Sequence, residues 1–261
     1  MFWQQESFPP RLCDNLVFAV SDIAPAHRQF TFDAIGVIRS PFKEKFGIPR
    51  QSGLMDTAEA VLELLPPYDR EEAVRGLDGF SHLWITFVFH GVRQGDWSPT
   101  VRPPRLGGNQ RLGVFATRST HRPNPIGLSL VEIAGIRREQ GRLLLDVRGA
   151  DLMDGTPVLD IKPYLPYADA RPDARAGFAA AAPDAQMPVV FGPEAEAVCT
   201  ARAADLPQLR RFIEQMLRLD PRPAYQAASE GRVYGTAIFD LDVRWTVADG
   251  AVQVLTISPA A

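Results

Sequence analysis

The fold class that this sequence predicts is mainly β, an antiparallel barrel followed by a small α+β unit. Three observations predict it. Short runs rich in Val, Ile, Leu and Phe recur from Thr31 to Ile161, and Gly, Pro, Asn and Asp clusters punctuate them. Apolar residues at helical spacing are scarce until Asp205. Tight-turn pairs such as Asp154-Gly155 and Asp249-Gly250 join neighbouring runs. Strands at this density with few helices suggest a closed antiparallel sheet. A chain of 261 residues, 46% of them apolar, has enough material for a substantial core and for two units.

Residues 1–30 read as an irregular arm with Pro9, Pro10 and Pro25 and no sustained period, and no role is assigned to them. The barrel is expected over 31–169. Its first strand is Thr31 to Arg39, stopped at Ser40-Pro41. The segment PFKEKFGIPRQSG that follows is too rich in Gly and Pro for a regular element, and it offers Lys43, Lys45, Arg50 and Gln51 as a ligand loop. Ala58 to Leu64 predicts a strand ended by Pro66-Pro67. Asp69 to Leu77 predicts a short helix, with Asp69 as N-cap and Glu71 and Glu72 at the positive end of its dipole.

Ser81 to His90 is the most apolar segment and predicts a core strand covered on both faces. A long Gly- and Pro-punctuated loop spans 91–108, of the kind that is usually functional or mobile. Leu112 to Ala116 and Leu128 to Ile136 predict strands. Residues 138–141 predict a hairpin turn into Leu143 to Arg148, and Asp154-Gly155 another into Val158 to Ile161. Ala, Asp, Pro and Arg dominate from Ala168 to Gln186, which places a linker at 170–186. In the unit expected at 187–261, Pro188 to Phe191 predicts a short strand. Apolar residues at 206, 209, 212, 213, 216 and 217 predict one face of a helix from Asp205 to Leu219, capped by Asp205. Val233 to Val247 alternates as one strand and turns at Asp249-Gly250 into Val252 to Ile257.

Between the strand runs at 112–116 and 128–136 lies Arg118-Ser119-Thr120-His121-Arg122-Pro123-Asn124-Pro125-Ile126-Gly127-Leu128-Ser129. Two prolines bracketing an asparagine fix φ and remove two N–H donors, so the segment is a stiff loop. It presents two arginines, a histidine, an asparagine and hydroxyls, a surface suited to an anionic or polar ligand. An Arg-rich hairpin end whose prolines stop edge pairing accounts for the same residues equally well. From Arg93 to Arg122 the only acid is Asp96, while Arg93, Arg102, Arg105, Arg111, Arg118 and Arg122 are basic. That run is either a phosphate footprint or a solvated charged loop.

A net charge of −3 argues against a uniformly basic nucleic-acid coat without excluding a local patch. Cys13 and Cys199 form no CxxC pattern, so neither a disulfide framework nor zinc is indicated, and a reducing cytoplasm is the default setting. His82 and His90, on one expected strand, would stand about 27 Å apart, too far to share a metal. No metal and no membrane partner is expected. The N-terminus shows no basic leader and no long apolar stretch.

Four blocks in order, IGVIRSPFKEKFGIPRQ at 35–51, DGFSHLWITFVFH at 78–90, TRSTHRPNPIGLSLVEI at 117–133 and DGTPVLDIKPYLPYAD at 154–169, resemble the TsaA/TrmO family of tRNA methyltransferases, and DPRPAY at 220–225 resembles the C-terminal signature of its bacterial full-length members. The resemblance implies a homodimeric, β-barrel, S-adenosylmethionine-dependent enzyme. The implied reaction methylates N6 of threonylcarbamoyladenosine at position 37 of tRNA, with threonine tRNA as substrate and the anticodon arm as partner. The chain has no GxGxxG after a strand, so the cofactor itself was not legible from a nucleotide-binding motif. Within the stiff loop, Arg118, Ser119, Arg122, Asn124 and the backbone near Gly127 suit the carboxylate, hydroxyls and adenine of that cofactor, with Ile126 and Leu128 beside them. His121 is either a donor there or a packed ring. The resemblance adds Asp160, Ile161 and Lys162 of the DIKPY segment as further cofactor residues.

Methyl transfer from a sulfonium depends mostly on alignment in a sheltered pocket. The acceptor nitrogen is amide-like, so a carboxylate must take its hydrogen as the methyl arrives. Asp220, stiffened by Pro221 and Pro223, is the expected acceptor of that proton. Tyr225 is expected to stack on the base and Arg222 to hold a carboxylate or phosphate. Lys43, Lys45, Arg50 and Arg105 complete the expected tRNA contacts. The alternative keeps the fold and drops the catalysis, leaving a nucleotide- or RNA-binding β-barrel module. A hydrolase is disfavoured, because no Ser-His-Asp arrangement is defensible from the spacing.

Overall fold

A computed structural model describes residues 30–92, 95, 97–103, 110–182, 187–222 and 231–260. The chain divides into two compact units, Met1–Asp33 and Ala34–Ala261. Of the first unit only 30–33 are described, without regular structure and with Phe30 and Phe32 exposed. No helix among the described residues is long and apolar enough to cross a membrane.

Strand β1 is Gly36–Arg39, shorter than the expected Thr31 to Arg39. Ile35 still donates to Val158 and accepts from Leu65, whereas the exposed residues before it have no neighbouring strand to pair with among the described residues. β2 is Glu59–Leu64, antiparallel to β1. The expected helix from Asp69 shrinks to one turn, α1, Glu71–Val74. Arg70 rather than Asp69 holds the N-cap position, and the Asp69 carbonyl accepts from Arg138 Nη2 at 3.1 Å. Gly76, at φ +84°, keeps the turn from propagating.

β3, His82–Val88, buries Leu83, Ile85 and Phe87 while His82, Trp84, Thr86 and Val88 stay half exposed. Its outer face is therefore only partly covered, and His90 lies beyond the strand. The expected strand at 112–116 is also corrected. Thr100–Val101 (β4) pairs with Leu112–Gly113 (β5) in a two-residue ribbon, and Val114–Ala116 makes a 3-10 turn. Thr117 closes that turn by donating twice to the Val114 carbonyl, which buries Val114 and leaves Phe115 outside.

β6 starts directly after Pro125 and runs from Ile126 to Glu139. A two-residue turn at Gln140-Gly141, with φ of +50° and +81°, leads into β7, Arg142–Arg148. β8 is Pro157–Pro163, and it does not form the expected hairpin with β7. β7 lies between β2 and β6, and β8 between β1 and β3, because the Asp154-Gly155 turn docks on β1 instead: Gly155 N–H donates to Ile38 O and Ser40 N–H to Asp154 Oδ1. The six strands thus close in the order β1-β2-β7-β6-β3-β8, antiparallel throughout. Ile38, Leu62, Leu83, Ile85, Val131, Leu145 and Val158 fill the interior.

Helix α2, Pro166–Asp169, follows, and the described part of the linker carries a single 3-10 turn at Gly177–Ala179. β9 is Val189–Phe191. α3, Pro193–Ala201, has no counterpart among the sequence expectations, since its apolar face is small residues and one cysteine, Ala195 and Cys199. α4 is Leu209–Arg218 and starts later than expected, because the Asp205 carboxylate is engaged by Arg202 at 2.8 Å and Gln208 holds the N-cap position.

The alternating run from Val233 proves to be two strands, β10 (Tyr234–Ile238) and β11 (Leu241–Ala248). The chain turns at Phe239, at φ +52°, whose amide donates to Pro41 O and whose ring packs edge-on to Phe212 at 5.1 Å. β12, Ala251–Pro259, completes a sheet of order β10-β11-β12-β9, with β9 parallel to β12. The second core, around Phe212, Ile213, Trp245 and Val254, also takes in Phe42, Met55 and Ala58 from the first half of the chain.

Candidate active site

A cavity of about 560 Å³ opens where four segments meet: 45–51, the end of β3 with 89–92, 117–129, and 151–156. It lies within the range of small-molecule sites. Phe87 and Gly127 set its floor. Gly127 packs so tightly on the Phe87 ring that a Cβ there would lie 2.2 Å from Cζ, so only glycine lets β6 pass. Phe89 packs edge-on to Phe87 at 5.0 Å, and the Phe89 amide donates to Pro125 O, which ties the proline-braced loop to β3.

The polar wall belongs to Arg118, Gln51, Ser129 and Asp151. Arg118 Nη1 donates to Gln51 Oε1. Ser129, buried on β6, donates to Asp151 Oδ1 at 2.5 Å, and the Ser52 amide also donates to that carboxylate. Burial pushes the Asp151 pKa above its ordinary value of 3.8, against the lowering effects of Ser129 and Arg118. Arg122 folds back on its own loop, donating to Thr117 O at 2.8 Å and lying over the Phe115 ring at 6.0 Å. Among the described residues, Lys45, Arg50, Arg118 and Arg122 line the cavity against one carboxylate, Asp151. Apolar Ile48, Phe87, Phe89 and Leu128 share the wall with them, a combination suited to an amphiphilic organic ion with both an anionic and a donor-bearing end.

Of the expected cofactor residues, Arg118, Arg122, Ile126, Gly127 and Leu128 line this cavity, and so do Lys45 and Arg50 from the expected tRNA set. Ser119, His121 and Asn124 belong to the same loop without lining it. Ser119 Oγ accepts from the His121 amide at 3.2 Å, and the His121 ring is exposed rather than packed in a core. Asp160, Ile161 and Lys162 lie elsewhere, on β8 opposite Thr86, Ile85 and Trp84. There Lys162 pairs with Asp160, whose Oδ1 accepts from the Ile161 amide. Lys43 points into a second depression of about 610 Å³, where it is paired with Asp154 at 2.9 Å.

Asp220 and Arg222 face each other, with Nε donating to Oδ1 at 2.8 Å and Nη2 to Oδ2 at 2.9 Å, and neither lines the cavity. Arg222 is buried, 6% exposed. Arg105 and Tyr225 lie outside the described residues. The residues that sequence reasoning missed are Asp151, Phe89 and His90. Asp151 carried a signal, since it is an acid set between Ala150 and Leu152, both of which bury.

Comparison with known proteins follows the same outline. Residues 37–170 match the model of the tRNA-methyltransferase O N-terminal domain and residues 184–260 that of its C-terminal domain. The chain is 53% identical over 231 residues to a tRNA (adenine(37)-N6)-methyltransferase of Escherichia coli K12, covering 88% of this chain and 98% of that protein. It is 53% identical to a putative S-adenosylmethionine-dependent methyltransferase of Pseudomonas aeruginosa over 81% of this chain and 90% of that one. A crystal structure of TrmO from Pseudomonas aeruginosa superposes with a TM-score of 0.72 at 44% identity, covering 88% of this chain and 98% of that one. With both family models matched in order and a relative this similar along nearly its whole length, the chain belongs to the tRNA-methyltransferase O family.

Proposed function

We propose that this chain methylates N6 of threonylcarbamoyladenosine at position 37 of tRNA, in the cytoplasm and as a homodimer. Family membership carries the coarser activity, S-adenosylmethionine-dependent methylation of adenine 37 at N6. The observation that supports our reading of the site is the cavity itself, in which a guanidinium, a buried carboxylate and an aromatic wall converge. S-adenosylmethionine, when bound, supplies a methyl group on a positively charged sulfur. Arg118 is suited to its carboxylate, and Asp151, fixed by Ser129 and Ser52, to a donor-bearing group of the same molecule. Phe87, buried, and Phe89, half-buried, shelter the transfer from water. Lys45 and Arg50, exposed at the rim, present cations to the RNA backbone.

Ile126 and Leu128 are 41% and 54% exposed on the outer face of β6 beside the cavity, an apolar patch that a second copy would cover. We assign removal of the N6 proton to Asp220, oriented by Arg222 and brought to the cavity of the partner copy, with Tyr225 stacking on the base. In the division of labour we propose, 31–169 carries the cofactor and 187–261 contributes to the acceptor side, with 170–186 joining them. The fold supports this reading as a barrel-type methyltransferase whose cofactor site is unrelated to a Rossmann crevice.

The test is transfer of labelled methyl to two tRNA pools, one carrying threonylcarbamoyladenosine and one lacking it, followed by nucleoside mass spectrometry. Label is expected in the first pool alone, as N6-methyl-threonylcarbamoyladenosine. Asp220→Asn is expected to lower turnover at saturating tRNA by about 10²-fold or more. Equal labelling of both pools contradicts the substrate proposed, binding of tRNA without any transfer favours the docking-module alternative, and undiminished turnover of Asp220→Asn contradicts the residue.

A further inference from the structure

Residues 43–58, between β1 and β2, pack on the second core through Phe46, Ile48, Met55 and Ala58. The middle of this loop, Lys45, Ile48, Pro49, Arg50 and Gln51, lines the cavity, while both flanks are fastened to the C-terminal half of the unit. On the first flank the loop covers β10, the edge strand of its sheet. Lys43 N–H donates to Ala237 O at 3.4 Å, and Ala237 N–H donates to Glu44 Oε1 at 3.0 Å, so a carboxylate stands where a neighbouring strand would offer a carbonyl. Next to it Phe46 stacks on Trp245, ring centroids 6.0 Å apart and 6° from parallel. Gly47, at φ +95°, passes so close that a Cβ would lie 2.7 Å from Thr236 Cγ2 and 3.0 Å from Met216 Sδ.

On the second flank Gln215 of α4 works as a clip. Its Oε1 accepts from the Thr57 amide at 3.3 Å and from Thr57 Oγ1 at 2.8 Å, and its Nε2 donates to Asp56 Oδ1. Between these two anchors stand the groups that face the cavity: Gln51 accepts from Arg118, and the Ser52 amide donates to Asp151. Neither Glu44 nor Gln215 lines the cavity. We infer that Glu44 and Gln215 are positioning residues, through which the C-terminal half holds the 45–52 wall in its ligand-ready arrangement. The affinity for S-adenosylmethionine then depends on two side chains that never touch it, an inference that rests on the cavity being the cofactor site.

The physical basis is a population argument. A loop with Gly47 and Gly53 has many conformations once released, and an apparent dissociation constant rises in inverse proportion to the fraction that is competent to bind. The test uses the full chain with Glu44→Ala, Glu44→Gln and Gln215→Ala. Three quantities are measured: amide hydrogen exchange over 45–52, the calorimetric Kd for S-adenosylmethionine, and kcat at saturating cofactor. Both alanine variants are expected to exchange faster over 45–52. If release leaves roughly a tenth of the population competent, Kd rises about tenfold, while kcat at saturation stays within about twofold. Glu44→Gln is expected to behave like the wild type, because its amide oxygen accepts the same Ala237 hydrogen bond.

Wild-type exchange and affinity in both alanine variants would overturn the inference, as would a Glu44→Gln variant as impaired as Glu44→Ala. Faster exchange with unchanged affinity would overturn it too, since the clasp would then hold the loop without serving the site. A wild-type protein that binds no S-adenosylmethionine would instead sink the functional reading, and the exchange rates alone would then decide whether the clasp exists.

Discussion

Burial sets the behaviour of Asp151. Its carboxyl binds a proton more tightly in the folded chain than in the unfolded one, because desolvation outweighs Ser129 and Arg118. The folded state therefore carries more protons than the unfolded state between 3.8 and the raised value, and stability falls as pH rises through that window. Above it the whole penalty is present. Asp151→Asn, which keeps an oxygen to accept from Ser129, is accordingly expected to raise the melting temperature at pH 7 to 8, and to lose that advantage below pH 3.8. The same variant is expected to bind S-adenosylmethionine more weakly. A melt that is unchanged or lower at neutral pH contradicts the assignment of Asp151 as a carboxylate held at a cost in stability. A sequence shows only that an acid sits among apolar residues. That the chain keeps it at a cavity wall beside Arg118 depends on the register of β6 on β7, which brings Asp151, just past the end of β7, to Ser129.

At the scale of elements, the parts legible in the sequence were those set by local pattern. β2, β7, β12 and the Asp249-Gly250 turn fall close to where alternation and turn chemistry put them. The misses have tertiary causes. The run from Val233 keeps its alternation straight through a hairpin, and only the docking of Phe239 on Phe212 and Pro41 reveals the turn. Asp154-Gly155 looks like a hairpin turn and is used as a clamp on β1. Five of the eight expected residues of the cofactor loop line the cavity, while Asp160 to Lys162 stand apart from it on β8, a placement that one segment cannot reveal because a strand's position in the ring is set by its partners.

The C-terminal sheet allows a sharp test at this scale. Trp245, 0% exposed, donates its indole N–H to Thr236 Oγ1 at 3.1 Å across the β10-β11 pair. Thr236→Val keeps the shape and removes the acceptor, so a buried donor is left unsatisfied at a cost of about 1–3 kcal/mol. Chemical denaturation is expected to show a lower midpoint with an unchanged slope. A midpoint equal to that of the wild type would mean that the indole finds another acceptor.

At the scale of the whole molecule, the barrel supplies the walls of the cavity and the C-terminal half fastens the loop between β1 and β2 that completes it. The second core could not form from the C-terminal residues alone as it stands, since Phe42, Met55 and Ala58 are part of it. Removal of 187–261 is therefore expected to expose these three side chains and to release the 45–52 wall, rather than to leave an intact smaller enzyme. We propose that the methyl donor binds in the cavity between Arg118, Asp151 and Phe89. The most direct measurement is a crystal structure of the full chain with S-adenosylhomocysteine. The ligand is expected there, with its carboxylate near Arg118, and a ligand seated on β8 against Asp160 and Lys162 would overturn that placement.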